Sequence, residues 1–471
     1  MEKMVLPDFG PVNDMLDSVY VELDGKCVLE EYREPYGRES LHRMFSVTKS
    51  YCGLAILALV ADGRLGLDDC IVTYFPEYVG SQIHPWLKEM TIRHMMTMRT
   101  CHAKTTFHTK MATDWTESFF TTAPNHRSGQ IFQYDTSSSH TLAALIKKMT
   151  GKGVLDYLRE IFLEKSGFSK QAYILKDPFG VELGGSGLMA KTSDLACTAQ
   201  LLLALVRGDF FEDPRFNGYV TERYPECFWK RYAGLVKEAT SFQTLTCHFG
   251  QTADEQQGYG MQFWMVRNGG AAMYGLGGQY AILFPEQRLF VVTTADTQNV
   301  KGGNQKILDC IHQYVERLKA EQSYCLFSGI RLEEMNEAMG EIRNKTMEKT
   351  PAGEYEILQT EASLKRVTIQ KDMLKLSLET ENGKMEAEIL FSVGKGVTGR
   401  LCRECEIIYT RAEMYRDSLY LQIKNCDTAI GLLHILIHFE GEDRICLYMR
   451  TAGLEGFEVF NGFFDGKRIH S

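Results

Sequence analysis

Residues 45–60 have the sequence FSVTKSYCGLAILALV, and the interpretation of the whole chain starts from this stretch. Ser46 and Lys49 stand three positions apart at the beginning of a nearly continuous apolar run. Residues i and i+3 share one face of a helix, so the spacing predicts that the Ser46 hydroxyl and the Lys49 amine meet on a first helical turn. An apolar run without a polar stripe is typical of a helix that is buried on all sides.

This pair has the chemistry of an activated serine. A lysine held in apolar surroundings loses affinity for its proton, and its usual pKa of about 10.4 can fall until the amine serves as a base. A helix N-terminus beside Ser46 adds amide donors that suit a developing oxyanion. A Ser-x-x-Lys spacing also arises by chance about twice in a chain of 471 residues, so the pair gains weight from its position and from the motifs downstream.

Length and charge exclude several classes of protein. A chain of 471 residues is too long for one ordinary domain and predicts two or three. The net charge of −9 and the absence of a Lys/Arg run argue against nucleic acid as a partner. Residues 1–10 contain no apolar core of a signal peptide, and the longest apolar run, Leu54 to Val60, is far shorter than the roughly 20 residues that span a membrane. We therefore expect a cytoplasmic protein with no membrane partner.

The cysteines and histidines give little support for a metal or a cofactor. The 13 cysteines are odd in number and scattered, which fits reduced thiols better than disulfides. Cys402 and Cys405 form a single CxxC, with no second CxxC or histidine pair to complete a zinc site. His126 precedes Tyr134 closely enough to be a candidate for a cleft wall, although a structural role is the simpler interpretation. We predict no metal site and no cofactor.

The first part of the chain predicts an α+β plan. Alternating apolar residues around Asp24-Gly25 predict a β-hairpin. Helices are predicted from Ser46 to Gly63, after the cap Thr91, and over 138–149, 154–162, 195–206 and 304–319. Strands are predicted over 258–266, 279–284 and 288–294, whereas residues 207–257 give no clear pattern. Strands at both ends with helices between them indicate an antiparallel sheet with helices packed against it.

The pattern changes at about residue 320. Residues 321–350 are charged and helix-prone, and we interpret them as a linker after a first domain over 1–320. From 351 to 471, short runs alternate at strand period and are separated by turn signals such as Asn382-Gly383. This regularity predicts a second, smaller, all-β domain of barrel or sandwich type.

A second candidate for the site lies in residues 131–138, IFQYDTSS, immediately before a predicted helix. A loop tyrosine beside a lysine can carry a proton, so Tyr134 would complete the base half of a Ser/Lys/Tyr centre. For any single one of the 22 tyrosines, however, a structural role is the simpler interpretation.

In this order the motifs resemble the serine beta-lactamase and penicillin-recognising family, in its branch of class C enzymes, esterases and D-alanyl-D-alanine peptidases. Ser46-Val47-Thr48-Lys49 is similar to the family's S-x-x-K, and Tyr134-Asp135-Thr136 to its Y-x-N with the last position changed. Further similar stretches are DGRLGLDD at 62–69, TIRHMM at 91–96, GSGL at 185–188 and GLGGQ at 275–279. The resemblance covers nearly two thirds of the chain and implies a beta-lactamase/transpeptidase-like fold with a helical subdomain. The β-rich tail more weakly resembles an accessory domain of the group.

The resemblance also implies roles for single residues. Ser46 would be the acylated nucleophile, and Lys49 with Tyr134 would activate it and carry the proton to the leaving group. The family's third motif falls on Met273-Tyr274-Gly275, and the N–H groups of Ser46 and of the next residue, Leu276, would form the oxyanion hole. The substrate-binding positions implied in this way are Thr136, Tyr274, Gly275 and Leu276.

Two departures from the family pattern narrow the function. Met273 replaces the lysine or histidine that relatives use for a substrate carboxylate, and Thr136 replaces an asparagine amide that would hold a substrate carbonyl. Both changes argue against a true beta-lactamase or a cell-wall peptidase, and they favour a hydrolase of small esters or amides with a neutral or unusual acyl group. A catalytically silent ligand-binding protein is a further alternative, which the joint retention of the three catalytic residues disfavours.

Overall fold

The computed structural model divides the chain into two compact units. The first contains residues 1–123 and 132–327, and the second contains residues 124–131 and 328–471. The residues described are 7–80, 83–107, 114–250, 252–326, 351–359, 362–380, 383–401, 407–426, 431–453 and 460–469. Most of the predicted linker lies outside the described residues, and its first residues, 321–326, continue the last helix of the first unit.

The first unit combines helices and strands. Its helices are α1 (Val47–Ala61), α2 (Pro85–Lys88), α3 (Ile92–Met96), α4 (Trp115–Thr121), α5 (Thr136–Thr150), α6 (Val154–Leu158), α7 (Thr192–Arg207), α8 (Glu226–Ala239) and α9 (Gly303–Leu326). Its strands are β1 (Leu16–Leu23), β2 (Lys26–Tyr32), β3 (His42–Arg43), β4 (Tyr173–Ile174), β5 (Leu188–Ala190), β6 (Trp264–Val266), β7 (Gly270–Gly275), β8 (Gln279–Phe284) and β9 (Leu289–Ala295).

The main sheet of this unit is antiparallel and has the order β2-β1-β9-β8-β7-β6. Strands from both ends of the unit therefore pair, with most of the helices between them in sequence. One face of the sheet shares a hydrophobic core with α1, α5, α7 and α8, and the other shares a core with α9. The α+β prediction is confirmed. β3, β4 and β5 form a small separate sheet beside the start of α1.

Several local predictions are confirmed. The hairpin turns at Asp24 and Gly25, both with positive φ, as a two-residue hairpin loop requires. Thr91 caps α3 by accepting a hydrogen bond from the His94 N–H. Gly151 ends α5 in the left-handed conformation, with φ of 72°.

Other boundaries differ from the prediction. The predicted strand over 258–266 was wrong for its first part, because only Trp264–Val266 is a strand. Positive φ values at Gly258 (123°) and Gln262 (64°) break the extended backbone there. Helix α7 begins at Thr192 instead of at 195. Helix α8 lies in the stretch that gave no clear pattern, and its buried face includes Trp229.

The second unit contains a barrel-like sheet. Its strands are β10 (Gly353–Ile357), β11 (Leu364–Ile369), β12 (Met373–Thr380), β13 (Gly383–Leu390), β14 (Gly396–Arg400), β15 (Ile407–Tyr415), β16 (Ser418–Asn425), β17 (Gly431–Glu440), β18 (Arg444–Gly453) and β19 (Gly462–Arg468). The order β13-β12-β11-β10-β19-β18-β17-β16-β15-β14 is that of an antiparallel meander. The Glu388 N–H of β13 donates to the carbonyl of Leu401, just after β14, at 2.9 Å, so the two outer strands also meet. The all-β prediction is confirmed in its barrel form.

No helix in the described part of the chain is both long enough and apolar enough to cross a bilayer. The longest, α9, has a polar face and a face that packs on the sheet.

A buried ionic network ties the loop before β6 to α9. The Asp254 side chain is fully buried and accepts hydrogen bonds from the Arg267 N–H at 3.0 Å, from Arg267 Nη2 at 2.9 Å and from His312 Nε2 at 2.6 Å. Burial alone would raise the pKa of Asp254, but the hydrogen bonds from His312 and Arg267 outweigh it and lower the pKa to about 2.

We predict that Asp254→Asn lowers the free energy of unfolding by about 3–5 kcal/mol at neutral pH, because it removes one partner of a buried pair. The unfolded-state pKa of an aspartate is about 3.9, so the stabilisation is complete above pH 4 and is lost as pH falls towards about 2. Urea unfolding at several pH values measures this. Glu226→Gln, which breaks the exposed Lys230–Glu226 pair, is the control and should change little. Equal losses in the two variants would contradict the prediction.

Candidate active site

The site is built on the start of α1. Ser46 precedes the first helical residue, and every residue of α1 except Val60 is buried. Phe45 has φ of 44°, a left-handed conformation that is unusual for a bulky residue. The Thr48 N–H and hydroxyl both donate to the Phe45 carbonyl, at 3.0 and 2.6 Å, and hold this bend. The bend places Ser46 at the end of the buried helix.

Lys49 meets Ser46 as the spacing predicts. The Lys49 Nζ lies 3.0 Å from Ser46 Oγ and donates to the Gly185 carbonyl at 2.6 Å. The side chain is 1% exposed, and this burial lowers the pKa of Lys49 to about 7, although the negative charge of Asp135 acts in the opposite direction. A large neutral fraction of the amine is therefore available near neutral pH to accept the Ser46 proton.

Tyr134 lies beside the amine of Lys49. The centre of its ring is 4.8 Å from Lys49 Nζ, and the ring stacks on Trp264 at 5.5 Å between centroids. Burial raises the pKa of Tyr134 well above its usual value, while a hydrogen bond with Ser46 acts in the opposite direction. The phenol therefore keeps its proton at neutral pH, which suits a group that passes a proton rather than a phenolate base.

Asp135 is a residue of the site that the sequence analysis treated only as the middle of a motif. Its carboxylate caps α5 by accepting from the Ser137 N–H at 2.8 Å, and it also accepts from Thr100 Oγ1 at 3.2 Å. Complete burial raises its pKa to about 6, although these hydrogen bonds and Lys49 act in the opposite direction. An aspartate directly before a predicted helix is the signal that could have identified this role.

Thr136 lies beside the amine as well. A Cβ built on Gly185 would be 2.4 Å from Thr136 Cγ2 and 3.4 Å from Lys49 Nζ. A side chain at position 185 would therefore displace one of them. This explains the glycine in the GSGL stretch, and it adds Gly185 to the residues of the site that the sequence motifs implied.

The third motif spreads over both faces of β7. Met273 is fully buried in the core that contains α1, so no cation occupies this position. Tyr274 lies in the opposite core, 4.6 Å from Tyr280 and 5.9 Å from Trp264 between ring centroids. A Cβ on Gly275 would stand 2.4 Å from the Met44 carbonyl oxygen. Gly275 therefore allows the close approach of β7 to the backbone before Ser46.

The resemblance implies two oxyanion donors, the N–H of Ser46 and the N–H of Leu276. Across the described residues, neither the Ser46 N–H nor the Leu276 N–H donates a hydrogen bond. Leu276 is 51% exposed. Both groups are therefore available to an external oxygen.

A metal-binding arrangement is not seen in the part of the chain that the structure describes, where no three His, Cys, Asp or Glu side chains lie together. Cys402 and Cys405 lie outside the described residues.

Comparison with known proteins gives the family. A sequence model described as Beta-lactamase matches residues 17–308. This match covers more than half of the chain, so the chain belongs to the beta-lactamase family, and it is a serine hydrolase of that family.

Individual relatives are distant. The chain is 24% identical over 327 residues to the 6-aminohexanoate-dimer hydrolase of Paenarthrobacter ureafaciens, a match that covers 64% of this chain and 80% of that protein. It is 25% identical over 158 residues to Protein flp of Staphylococcus aureus, which covers 31% of this chain and 32% of that protein. The solved structure of SurE with D-Leu covers 91% of both chains at 16% identity with a TM-score of 0.50, a similarity of fold alone.

The lowered pKa of Lys49 predicts the pH dependence of acylation. The neutral amine is the base, so the rate at which a fluorophosphonate labels Ser46 should fall about tenfold per pH unit below 7 and level off above pH 8. The rate is measured between pH 5 and 9 by quenching the labelling reaction at set times and determining the mass of the intact protein. In Lys49→Met the rate should fall about 10³-fold at every pH. Labelling of wild type that does not vary with pH would contradict the assignment of Lys49.

Proposed function

We propose that this protein hydrolyses an amide bond of a small molecule through an acyl-enzyme on Ser46. The observation that carries the proposal is the buried amine of Lys49, 3.0 Å from the Ser46 hydroxyl and with a pKa near 7. A structural lysine has no need of such a position, since burying it costs the free energy of removing an ammonium from water. A nucleophilic serine needs a base at this distance.

The first half of the reaction forms the acyl-enzyme. Lys49 accepts the proton of Ser46 as Oγ attacks the substrate carbonyl carbon. The oxygen of the tetrahedral intermediate then accepts hydrogen bonds from the N–H groups of Ser46 and Leu276, each able to lower the barrier by about 3 kcal/mol. Tyr134 passes a proton to the departing nitrogen, which cannot leave as an anion, and Lys49 returns its proton to Tyr134. Water then attacks the acyl group as the neutral amine of Lys49 accepts the water proton, and Lys49 passes that proton to Ser46 Oγ as the acid leaves.

The substrate class follows from the charge of the site. Met273 is apolar and buried where penicillin-recognising relatives have a cation, so the site offers no partner there for a substrate carboxylate. One relative is a 6-aminohexanoate-dimer hydrolase, and for this reason we propose an amide substrate rather than an ester. Two amino-acid units of that kind are joined by an amide bond.

We also propose that the protein acts in the cytoplasm on a soluble small molecule, with no nucleic acid, membrane or cofactor involved. The ten cysteines whose side chains the structure describes are free thiols, which suits a reducing compartment.

The first experiment tests the nucleophile. Wild-type protein treated with a fluorophosphonate should gain the mass of one adduct, and Ser46→Ala should gain none. Linear amides of amino acids, short esters and a chromogenic cephalosporin are then compared as substrates, with Ser46→Ala as the control. Absence of an adduct on folded wild type would overturn the proposed acyl-enzyme on Ser46, and preferred turnover of the cephalosporin would establish a true beta-lactamase.

Substitution of Tyr134 tests the proton relay separately. The leaving group of a fluorophosphonate is fluoride, which departs without a proton, whereas the leaving nitrogen of an amide requires one. Tyr134→Phe should therefore reduce amide hydrolysis about 10²–10⁴-fold and fluorophosphonate labelling far less. Steady-state kcat on the best amide and the labelling rate are the two measurements. Equal losses in both would show that Tyr134 activates Ser46 instead of serving the leaving group.

A further inference from the structure

Aromatic rings lie beside the reacting groups of Ser46 and Lys49. The rings of Tyr134 and Trp264 stack at 5.5 Å between centroids, and the ring of Phe249 lies 6.1 Å from each of them. Trp264 is buried, whereas Tyr134 and Phe249 are only partly buried. We call these three residues the aromatic wall. Two of its three rings are therefore accessible in part to a bound molecule.

A carboxylate is fixed in the turn formed by residues 252–255. Glu255 Oε2 accepts a hydrogen bond from the Thr252 N–H at 2.9 Å, and the Glu255 N–H donates to Thr252 Oγ1 at 3.1 Å. Asp254, in the same turn, is held by its buried ionic network with α9. Asp254 is fully buried, but Glu255 is partly exposed. The Glu255 carboxylate is therefore fixed in position and still open to solvent.

This carboxylate lies close to the tyrosines of the site. Burial is the main reason that the pKa values of Tyr134 and Tyr274 are well above the usual value, and the negative charge of Glu255 raises both further. A polar contact with the Thr252 side chain acts in the opposite direction on Tyr274. The ring of Tyr274 is 5.9 Å from that of Trp264 between centroids. The turn that carries Glu255 therefore adjoins the aromatic wall.

The charges at this place favour a cationic ligand. Met273 is apolar and buried at the position where penicillin-recognising relatives have a cation. A carboxylate forms strong, charge-assisted hydrogen bonds with an ammonium group. Aromatic neighbours strengthen this attraction, because they exclude water and because their ring faces attract cations. A carboxylate accepts up to about four hydrogen bonds, so the bond from the Thr252 N–H is compatible with a bound ammonium.

We propose that Glu255 and the aromatic wall bind a protonated amine of the substrate, so that the protein prefers amides that carry an ammonium group. Glu255 is a specificity-determining residue in this scheme. The proposal rests on the proposed function, since it adds a substrate class to hydrolysis at Ser46. The preference is opposite in sign to that of penicillin-recognising relatives, which use a cation to bind a substrate carboxylate.

The test compares substrates that differ only in charge. One series consists of p-nitroanilides of unbranched ω-amino acids, and in the other series a methyl group replaces the terminal ammonium. Glu255→Gln removes the charge but keeps an oxygen for the Thr252 N–H, and Glu255→Asp keeps the charge. Glu286→Gln is the matched control, because it removes an exposed carboxylate from the turn between β8 and β9. The unfolding transition of each variant shows first that it is folded.

Wild type should hydrolyse the best amino anilide with kcat/KM at least about tenfold above that of its neutral counterpart, because hydrogen bonds to charged groups contribute that much. In Glu255→Gln this ratio should fall to nearly one. Glu255→Asp should keep part of the preference, and Glu286→Gln should show the wild-type ratio. A wild-type ratio near one, or an unchanged ratio in folded Glu255→Gln, would overturn the proposal.

A binding measurement separates this proposal from the proposed function. Ser46→Ala cannot form the acyl-enzyme, so calorimetric titration of this variant with both anilides measures binding without turnover. If wild type hydrolyses neither anilide, the proposed function is overturned and the titration decides the ammonium site. Tighter binding of the amino anilide to Ser46→Ala, lost in Ser46→Ala/Glu255→Gln, would then support the site. Equal binding of the two anilides would then overturn it.

Discussion

The arrangement of the first unit depends on a lysine amine that is held inside an apolar core. Helix α1 packs on all sides, so the solvent that would stabilise the Lys49 ammonium is absent. The burial that stabilises α1 therefore also lowers the pKa of Lys49. Ser46 precedes the first residue of this helix, and its hydroxyl lies 3.0 Å from the buried amine.

The apolar residue in the third motif is consistent with the apolar surroundings of Lys49. Met273 and Tyr274 are neighbours in the chain but point into different cores, because successive residues of a strand face opposite sides of a sheet. An apolar side chain at 273 extends the core in which α1 is buried. Position 273 thus carries no cation for an anionic substrate. Its apolar side chain belongs to the same core that desolvates Lys49 and lowers its pKa.

The sequence predicted what local spacing determines and missed what distant residues determine. The meeting of Ser46 with Lys49, the turn at Asp24-Gly25 and the end of α5 at Gly151 are confirmed, since each rests on residues within one turn of chain. The strand over 258–266 was predicted too long because the left-handed backbone at Gln262 leaves no mark in an alternating pattern. The contact of Lys49 with the Gly185 carbonyl joins residues 136 positions apart, which no local pattern can show. The roles implied for all the predicted site residues stay predictions: Ser46, Lys49, Tyr134, Thr136, Tyr274, Gly275 and Leu276.

The first and last strands of the barrel, β10 and β19, pair with each other. Tyr355 of β10 pairs with Arg468 of β19, and the Ile469 N–H donates to the Glu354 carbonyl at 2.8 Å. Because each strand pairs with its neighbours in sequence and the outer strands also meet, the connection order is circular. A peptide that joined residue 469 to residue 351, with a new opening at an exposed turn such as Gly441, would preserve every strand pairing. The barrel is in this sense a closed ring of hairpins whose starting point is arbitrary.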